Sequence, residues 1–354
     1  MVGAIILLIF SLGTIIRAQE PRVFIDTHEH IESIAQANSL YEANEELGIQ
    51  KTVLIPSPIE TLTLNGSKSF TGYRENIDAI FAISEMYPDH FIPFCTISPM
   101  DPDAAKYLKE CIERGGKGLK LYNGHSYYYE IFKLPLHSPR MLSIYSYAER
   151  NKIPLLYHVN ITKYGDELEE VFSKFPNLVV SVPHYMVSSI GLSKVADLLD
   201  RYPNLYTDIS FGSPEFMAAG FRRISKDVPK FANFINQYSD RILFGADMVL
   251  TGAEYKNQTY MKDVLTCYKD LLESRQFACP YVSDYYQEAL DDQKKRYTNC
   301  EPKEGAYCRS LEPKIATIQE RLDQTIELNG LGLSDPVLRK IYEPNHARFL
   351  DANQ

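Results

Sequence analysis

Short apolar runs alternate with longer segments of helical periodicity along most of the chain. The eight runs that predict strands lie at 23–30, 52–58, 91–99, 118–125, 153–160, 178–185, 205–210 and 241–248. Between them lie helix-like segments, and Pro176 and Pro203 each mark the end of a helix before the next strand. The near-continuous apolar character of the runs indicates parallel strands that are buried on both faces.

Eight strands that alternate with helices predict an α/β fold, a (β/α)8 TIM barrel, because eight parallel strands close a barrel. The rival fold is a doubly wound open sheet. That fold usually carries a glycine-rich phosphate-binding turn after its first strand, whereas the first strand here ends in His28, Glu29 and His30. We therefore expect a single barrel domain over residues 19–354.

The chain departs from a minimal barrel after the eighth strand. Residues 251–311 form a cysteine-containing excursion, and a helix is predicted at 312–330, with Pro313 near its first turn and Gly330 as its stop. The excursion follows the C-terminal end of a strand, which is the end where barrel active sites form. It is therefore either a lid over the site or a surface decoration.

The first eighteen residues predict a signal peptide. Residues 4–16 are almost wholly apolar, and Ala18 offers a small residue for cleavage. A membrane helix needs about 20 apolar residues, so this run is short for a span and typical of a signal sequence. An uncleaved anchor is the alternative, because no Lys or Arg precedes the run. We expect an exported protein, periplasmic or secreted, with no membrane span after cleavage.

Export changes the interpretation of the six cysteines, because disulfides persist in oxidising compartments. Cys267, Cys279, Cys300 and Cys308 predict a disulfide-stapled excursion, with three pairings open among four cysteines. Cys95 lies in a strand and is expected to be a buried thiol. Cys111 lies on a helix and is expected to serve packing.

The net charge is -9 and the isoelectric point is near 5.5. An acidic chain argues against a nucleic-acid partner and favours a small-molecule substrate. A homodimer is one option for its assembly, which the sequence does not decide.

Residues that bind divalent metals gather at the predicted strand ends. His28 and His30 are two residues apart on the first strand and so point to the same side. His158, His184 and Asp247 end the fifth, sixth and eighth strands. Imidazole and carboxylate groups are ligands that zinc and similar ions take at catalytic sites. The carboxyl ends of barrel strands lie at one face, so the pattern predicts a metal site there.

The same pattern resembles the amidohydrolase superfamily. The closing segment, with Asn345, Arg348 and Phe349, is similar to the terminal signature of the branch that includes carboxymuconate-semialdehyde-type decarboxylases and lactone hydrolases. The resemblance implies one divalent ion, with zinc expected, and the ligands His28, His30, His158 and Asp247.

The resemblance also implies roles for nearby residues. Asp247 and His184 would be catalytic: Asp247 would move a proton, and His184 would polarise the substrate carbonyl or bind a second ion. Lys120 matches the position of the carboxylated lysine in two-metal members, although an ordinary lysine is expected, and its orientation stays open. The candidate substrate-binding residues are Lys120, Tyr122, His125 and Asn160.

The expected function is hydrolysis of an ester, lactone or amide by metal-activated water. A metal-dependent decarboxylase of an unsaturated or aromatic acid is the first alternative. It requires a cation for the substrate carboxylate, and Lys163, Arg222 and Arg223 are candidates. A non-catalytic metal-binding barrel is the second alternative.

Overall fold

The computed structural model describes residues 24–350, so the predicted signal peptide lies outside the described residues. The strands are β1 Ile25–Ile31, β2 Lys51–Ile55, β3 Phe91–Pro93, β4 Cys95–Thr96, β5 Leu119–Gly124, β6 Leu155–Val159, β7 Val180–Ser181, β8 Leu205–Asp208, β9 Ile242–Leu243, β10 Val249–Leu250, β11 Gln276–Phe277 and β12 Leu328–Asn329.

Parallel pairings close the first ten strands into a barrel. Their order is β10-β1-β2-β3 in one sheet and β4-β5-β6-β7-β8-β9 in the other. The predicted third strand is split into β3 and β4. The predicted eighth strand, at 241–248, contains only β9, and β10 follows directly after it. The N–H of Thr27 on β1 donates to the carbonyl of Phe244, just after β9, at 3.1 Å, which brings the ends of the two sheets together. At the other junction the N–H of Phe94, between β3 and β4, donates to the carbonyl of Leu54 on β2 at 3.1 Å. The predicted (β/α)8 TIM barrel is confirmed.

Helices surround the barrel. A 3-10 turn at Ile34–Gln36 precedes α1 Ala37–Leu47, α2 Ile59–Thr63, α3 Tyr73–Met86, α4 Ala104–Arg114, α5 Ser126–Phe132, α6 Pro139–Arg150, α7 Ile161–Lys174, α8 Pro183–Val187, α9 Leu192–Arg201, α10 Pro214–Lys226, α11 Val228–Gln237, α12 Gln258–Glu273, α13 Pro280–Asn299, α14 Ala306–Asp323, α15 Asp335–Tyr342 and α16 Pro344–Leu350. Among residues 24–350, none of these helices combines the length and the apolar character that a membrane span requires.

The predicted helix at 312–330 was placed wrongly. α14 begins seven residues before Pro313, which lies inside the helix, and it ends at Asp323. α14 packs along α13. Pro313 has no backbone N–H to donate within the helix, and we attribute the tolerance of this lost hydrogen bond to the stabilisation from helix packing. Ile326, which lies within the predicted range, follows the helix and is 60% exposed.

The C-terminal segment closes the floor of the barrel. Phe349 is fully buried and packs with side chains that fill the barrel interior. These are Val53, Ile55, Phe94, Leu156, Tyr206 and Leu243. The side chain of Asn345 donates to the carbonyls of Ser239 at 2.6 Å and Ile242 at 2.7 Å, at the start of β9. Two residues of the predicted terminal signature are therefore structural, at the end of the barrel opposite the carboxyl ends of the strands.

Three disulfides join the six cysteines. Cys267 pairs with Cys279, and Cys300 pairs with Cys308, which selects one of the three predicted pairings. Cys95 on β4 pairs with Cys111 on α4, so the expectation of a buried thiol and a packing cysteine was wrong. The strand and the helix that follows it bring the two sulfurs together across 16 residues of sequence.

Residues 276–329, which overlap the predicted excursion and extend beyond it, form a helical hairpin whose ends are held together. β11 and β12 pair in antiparallel fashion, with Gln276 opposite Asn329, and bring its two ends together. α13 and α14 pack on each other, and α13 also contacts α10 and α12 in the outer helical layer. Cys267–Cys279 joins α12 to the residue before α13, and Cys300–Cys308 closes the tip. The lid stays a prediction.

Candidate metal centre

Three imidazoles surround the carboxylate of Asp247. Its Oδ1 lies 3.1 Å from Nε2 of His28 and 2.9 Å from Nε2 of His30. Its Oδ2 lies 3.4 Å from Nε2 of His184. His28 and His30 are almost wholly buried, whereas the side chains of His184 and Asp247 each keep 11% exposure. His184 and Asp247 are thus the most exposed side chains of the cluster.

The backbone at two of these positions is strained. Asp247 has φ 56° in the gap between β9 and β10, and His184 has φ 61° in the turn that follows β7. For residues with a Cβ this left-handed conformation costs about 1–2 kcal/mol each. Both residues were predicted at strand ends, whereas the structure places each just past a short strand. Strain of this kind is common at functional sites.

Outer hydrogen bonds fix the protonation of two imidazoles. Nδ1 of His28 lies 2.9 Å from Oδ2 of Asp208. Nδ1 of His184 lies 3.1 Å from the carbonyl of Ser210 and 2.8 Å from its hydroxyl, which donates to Asp208. Carbonyl and carboxylate oxygens only accept, so the hydrogen of each neutral ring resides on Nδ1. Nε2 of His28 and Nε2 of His184 therefore present lone pairs to Asp247.

The imidazole of His30 also has a hydrogen-bond partner at Nδ1. Nδ1 of His30 lies 2.6 Å from the hydroxyl of Ser57. That hydroxyl can donate in turn to the carbonyl of Ile55 at 3.3 Å, which leaves its lone pairs to accept from His30. The phenol of Tyr122 donates to the carbonyl of Pro56 at 2.8 Å and lies 3.1 Å from Ser57. These contacts anchor His30 to the segment after β2.

The resulting donor set fits a metal cation. Lone pairs of imidazole nitrogens face carboxylate oxygens at hydrogen-bond distance, an arrangement that repels unless a positive charge lies among them. One ligand atom each from His28, His184 and Asp247 lies within 4.8 Å of the other two. Burial lowers the pKa of His28 well below its usual value, so this ring stays neutral.

Lys120 points into the barrel. Its ammonium lies 3.1 Å from Nε2 of His28 and 5.2 Å from the ring centroid of Tyr122, and the residue is 1% exposed. Burial lowers the pKa of Lys120 to about 8, against the opposing attraction of Asp247 and Asp208. This contact settles the orientation that the strand pattern left open, and it brings one cation to the site.

The other predicted residues lie at the edge of the cluster. The ring centroid of His158 lies 5.0 Å from that of His184 and 4.4 Å from that of His125. His158 therefore adjoins the centre, and its role as a ligand stays a prediction. His125 caps α5 by accepting from the N–H of Tyr127 at 3.2 Å. Asn160 caps α7 in the same way, through the N–H of Thr162 at 3.1 Å.

Sequence reasoning missed the supporting residues Ser57, Asp208 and Ser210. The one available signal was a charged residue inside the apolar run of the seventh strand, at Asp208. Glu29 lies between His28 and His30 on β1 and is fully buried. It accepts from the N–H of Met248 at 2.9 Å and thus links β1 to the residue after Asp247.

Comparison with known families identifies the chain. The family model described as amidohydrolase matches residues 65–351. The chain belongs to the amidohydrolase family. The matched range includes His158, His184 and Asp247, whereas His28 and His30 precede it. A search of curated proteins returns no match.

Solved structures with a TM-score above 0.5 confirm the fold of this amidohydrolase family member. A Staphylococcus aureus protein described as an amidohydrolase is 16% identical, with a TM-score of 0.53, covering 92% of this chain and 99% of its own. An amidohydrolase from Burkholderia multivorans with bound zinc is 10% identical, with a TM-score of 0.53, covering 93% and 99%. The 5-carboxyvanillate decarboxylase from Sphingomonas paucimobilis is 11% identical, with a TM-score of 0.47 and the same coverage.

Proposed function

We propose that the protein is a metal-dependent hydrolase that cleaves an ester, lactone or amide bond. The observation that carries the proposal is the convergence of imidazole lone pairs on the carboxylate of Asp247. His28, His30 and Asp247, with His158 as the fourth ligand, would hold one divalent ion, and zinc is the ion we expect. Such an ion lowers the pKa of a coordinated water and polarises a substrate carbonyl.

Proton transfer falls to His184 and Asp247. Nδ1 of His184 is committed to Ser210, so the neutral ring takes a proton at Nε2 from the attacking water. The charged ring can then return that proton to the leaving oxygen or nitrogen. Oδ2 of Asp247 lies 3.4 Å from Nε2 of His184 and stabilises the charged ring between the two steps. In this role His184 accepts a proton at Nε2. The polarising role expected from the sequence requires a hydrogen on Nε2 and stays a prediction.

Lys120 is the best candidate for substrate binding. A buried ammonium beside the cluster can hold a carboxylate or a developing oxyanion, and the low local dielectric strengthens that interaction. Tyr122 directs its hydroxyl to Pro56 and contributes packing beside Lys120. His125 and Asn160 use side-chain acceptors as helix caps, and their expected contact with substrate would come from their remaining polar atoms.

Lys120 also favours one alternative, a decarboxylase on the same scaffold. Such an enzyme must grip a carboxylate, and Lys120 is the cation that contacts the cluster in the described part of the chain. Of the cations predicted earlier, Lys163 is exposed and Arg223 donates to the hydroxyl of Ser189 at 2.6 Å. If the protein is a decarboxylase, Lys120 would take the role predicted for Lys163, Arg222 or Arg223.

A paired assay tests the proposal. Esters, lactones and amides are offered beside matched unsaturated and aromatic acids, with acid release and carbon dioxide measured in parallel. Asp247→Asn should reduce hydrolysis at least about 100-fold, because the variant loses the carboxylate that stabilises the charged His184 ring during proton transfer. Asp78→Asn is the control, since Asp78 is exposed and pairs with Arg114.

The outcomes of this assay distinguish the hydrolase, the decarboxylase and the non-catalytic barrel. Hydrolysis that survives in Asp247→Asn within a few-fold contradicts the proposed role of the carboxylate. Carbon dioxide release without hydrolysis selects the decarboxylase. Bound metal with no turnover on either panel selects a non-catalytic barrel.

We further propose that the protein is exported after cleavage near Ala18. Three disulfides in the described residues accord with an oxidising compartment. Expression with the full leader should give a secreted or periplasmic product that begins at Gln19 and contains no free thiol. A product that retains the leader supports an anchor, and a cytoplasmic product with six thiols contradicts export.

A further inference from the structure

Asp208 uses both of its carboxyl oxygens inside the cluster. It ends β8 and is fully buried. Oδ2 faces Nδ1 of His28 at 2.9 Å. Oδ1 accepts from the N–H of His184 at 2.8 Å, from the N–H of Ser210 at 3.1 Å and from the hydroxyl of Ser210 at 2.6 Å. One side chain therefore contacts a candidate ligand and the backbone of the candidate catalytic histidine.

The backbone that Asp208 holds is unusual. Residues 184–187 are four consecutive residues with φ between 51° and 61°, a left-handed turn. At about 1–2 kcal/mol each, such residues persist only when neighbouring groups hold them in place. Asp208 binds the first N–H of the turn, at His184. Thr207 binds the third, accepting from Met186 at 3.2 Å while donating to the carbonyl of Val182 at 2.7 Å.

We propose that Asp208 is a positioning residue that sets His28 and His184 together. Through Oδ2 it orients the ring of His28 and keeps the hydrogen of that ring on Nδ1. Through Oδ1 it accepts hydrogen bonds from the left-handed turn, at His184, and from Ser210. The carbonyl of Ser210 in turn keeps the hydrogen of the His184 ring on Nδ1. The inference rests on the proposed metal site for its purpose, since both rings then present Nε2 to the cation.

Asp208→Asn separates these two functions. The amide oxygen can keep the bonds to His184 and Ser210, while the amide nitrogen replaces Oδ2 opposite His28. Two N–H donors would then face each other at 2.9 Å. The ring of His28 relieves this conflict by moving its hydrogen to Nε2, which removes the lone pair that a metal requires.

The first measurement is nitrogen-15 NMR of histidine-labelled, metal-free protein near pH 8. The wild type should show hydrogen on Nδ1 for both His28 and His184. In Asp208→Asn only His28 should change to hydrogen on Nε2, whereas His30, whose partner is Ser57, should stay unchanged as an internal control. A wild-type His28 with hydrogen on Nε2 overturns the proposal even if the variant does not fold, and so does an unchanged His28 in a folded variant.

The second measurement is zinc affinity by competition with a chromophoric chelator. Asp208→Asn should bind zinc about 10- to 100-fold more weakly, the usual effect of losing an outer partner. Equal affinity, in a variant with wild-type thermal stability, contradicts the proposal. If the wild type binds no zinc, the proposed function fails while the NMR result still decides the role of Asp208.

A second pair of variants tests the turn. Thr207→Val removes the acceptor for Met186 without touching either ring, and Thr207→Ser retains it. We expect the His184 resonances to shift in Thr207→Val and to keep their wild-type positions in Thr207→Ser. The tautomer of His28 should stay unchanged in both variants. A His184 signal that is identical in all three proteins contradicts the idea that β8 holds this turn.

Discussion

Gly212 packs its backbone against the carboxylate of Asp247. A Cβ added at Gly212 would lie 2.6 Å from Oδ2 of Asp247, and Gly212 has φ 73°. Both the space and the backbone conformation therefore require glycine at this position. The loop after β8 thus defines one wall of the candidate metal centre.

Gly212→Ala should displace Asp247 and weaken zinc binding at least about 10-fold. Gly48→Ala is the matched control, because Gly48 also has a left-handed φ, 74°, but no atom lies within 4 Å of the added Cβ. Both variants lose about 1 kcal/mol of stability through backbone strain. Zinc affinity that falls equally in both variants, or in neither, contradicts the contact with Asp247.

Lys120→Met should separate cation binding from catalysis. The ammonium of Lys120 lies 3.1 Å from Nε2 of His28 and competes with a cation for that lone pair. The variant should therefore bind zinc at least as tightly as the wild type while it loses activity at least about 10-fold, because the substrate loses its cationic partner. The measurements are zinc competition and kcat/KM. Weaker zinc binding would instead identify Lys120 as part of the metal site.

The disulfides should differ in what they stabilise. Cys95–Cys111 joins a barrel strand to its helix across 16 residues, and its removal by double alanine substitution should cost about 3 kcal/mol of unfolding free energy. Removal of Cys300–Cys308 at the tip of the hairpin should leave the unfolding of the barrel and the zinc affinity unchanged. Thermal unfolding followed by circular dichroism measures both. A KM unchanged in the second variant argues against a lid.

Burial of His346 should lower the unfolding free energy of the protein at acidic pH. It is buried in α16, and burial lowers its pKa from 6.5 to about 3. Between those values the unfolded chain binds one proton that the folded protein does not, so stability falls as pH drops from 6.5 toward 3. His346→Gln should reduce the slope of unfolding free energy by about 1.4 kcal/mol per pH unit in this window. An identical slope in wild type and variant contradicts the assignment.

The barrel and the central residues were predictable from the sequence. Apolar runs at the spacing of alternating strands and helices determine the fold, and the two-residue spacing of His28 and His30 fixes their common side. His184 and Asp247 were found because they fall at the same predicted end of different strands as His28, His30 and His158. The structure moves each of them off the strand into left-handed backbone.

The supporting contacts were not predictable. The bond between Asp208 and His28 joins residues 180 positions apart, and it depends on register and rotamer. Cys95 and Cys111 lie on elements whose packing decides whether two sulfurs meet. The orientation of Lys120 depends on which face of β5 turns inward, and strand alternation alone leaves both choices open.

Zinc titration of the protein stripped of metal tests the central claim most directly. The account predicts one equivalent bound per chain in the wild type, with affinity reduced at least about 100-fold in Asp247→Asn, because the imidazole nitrogens then lose the carboxylate that completes the site. A wild-type protein that binds no divalent ion, or an Asp247→Asn variant that binds zinc as tightly as the wild type, would contradict it.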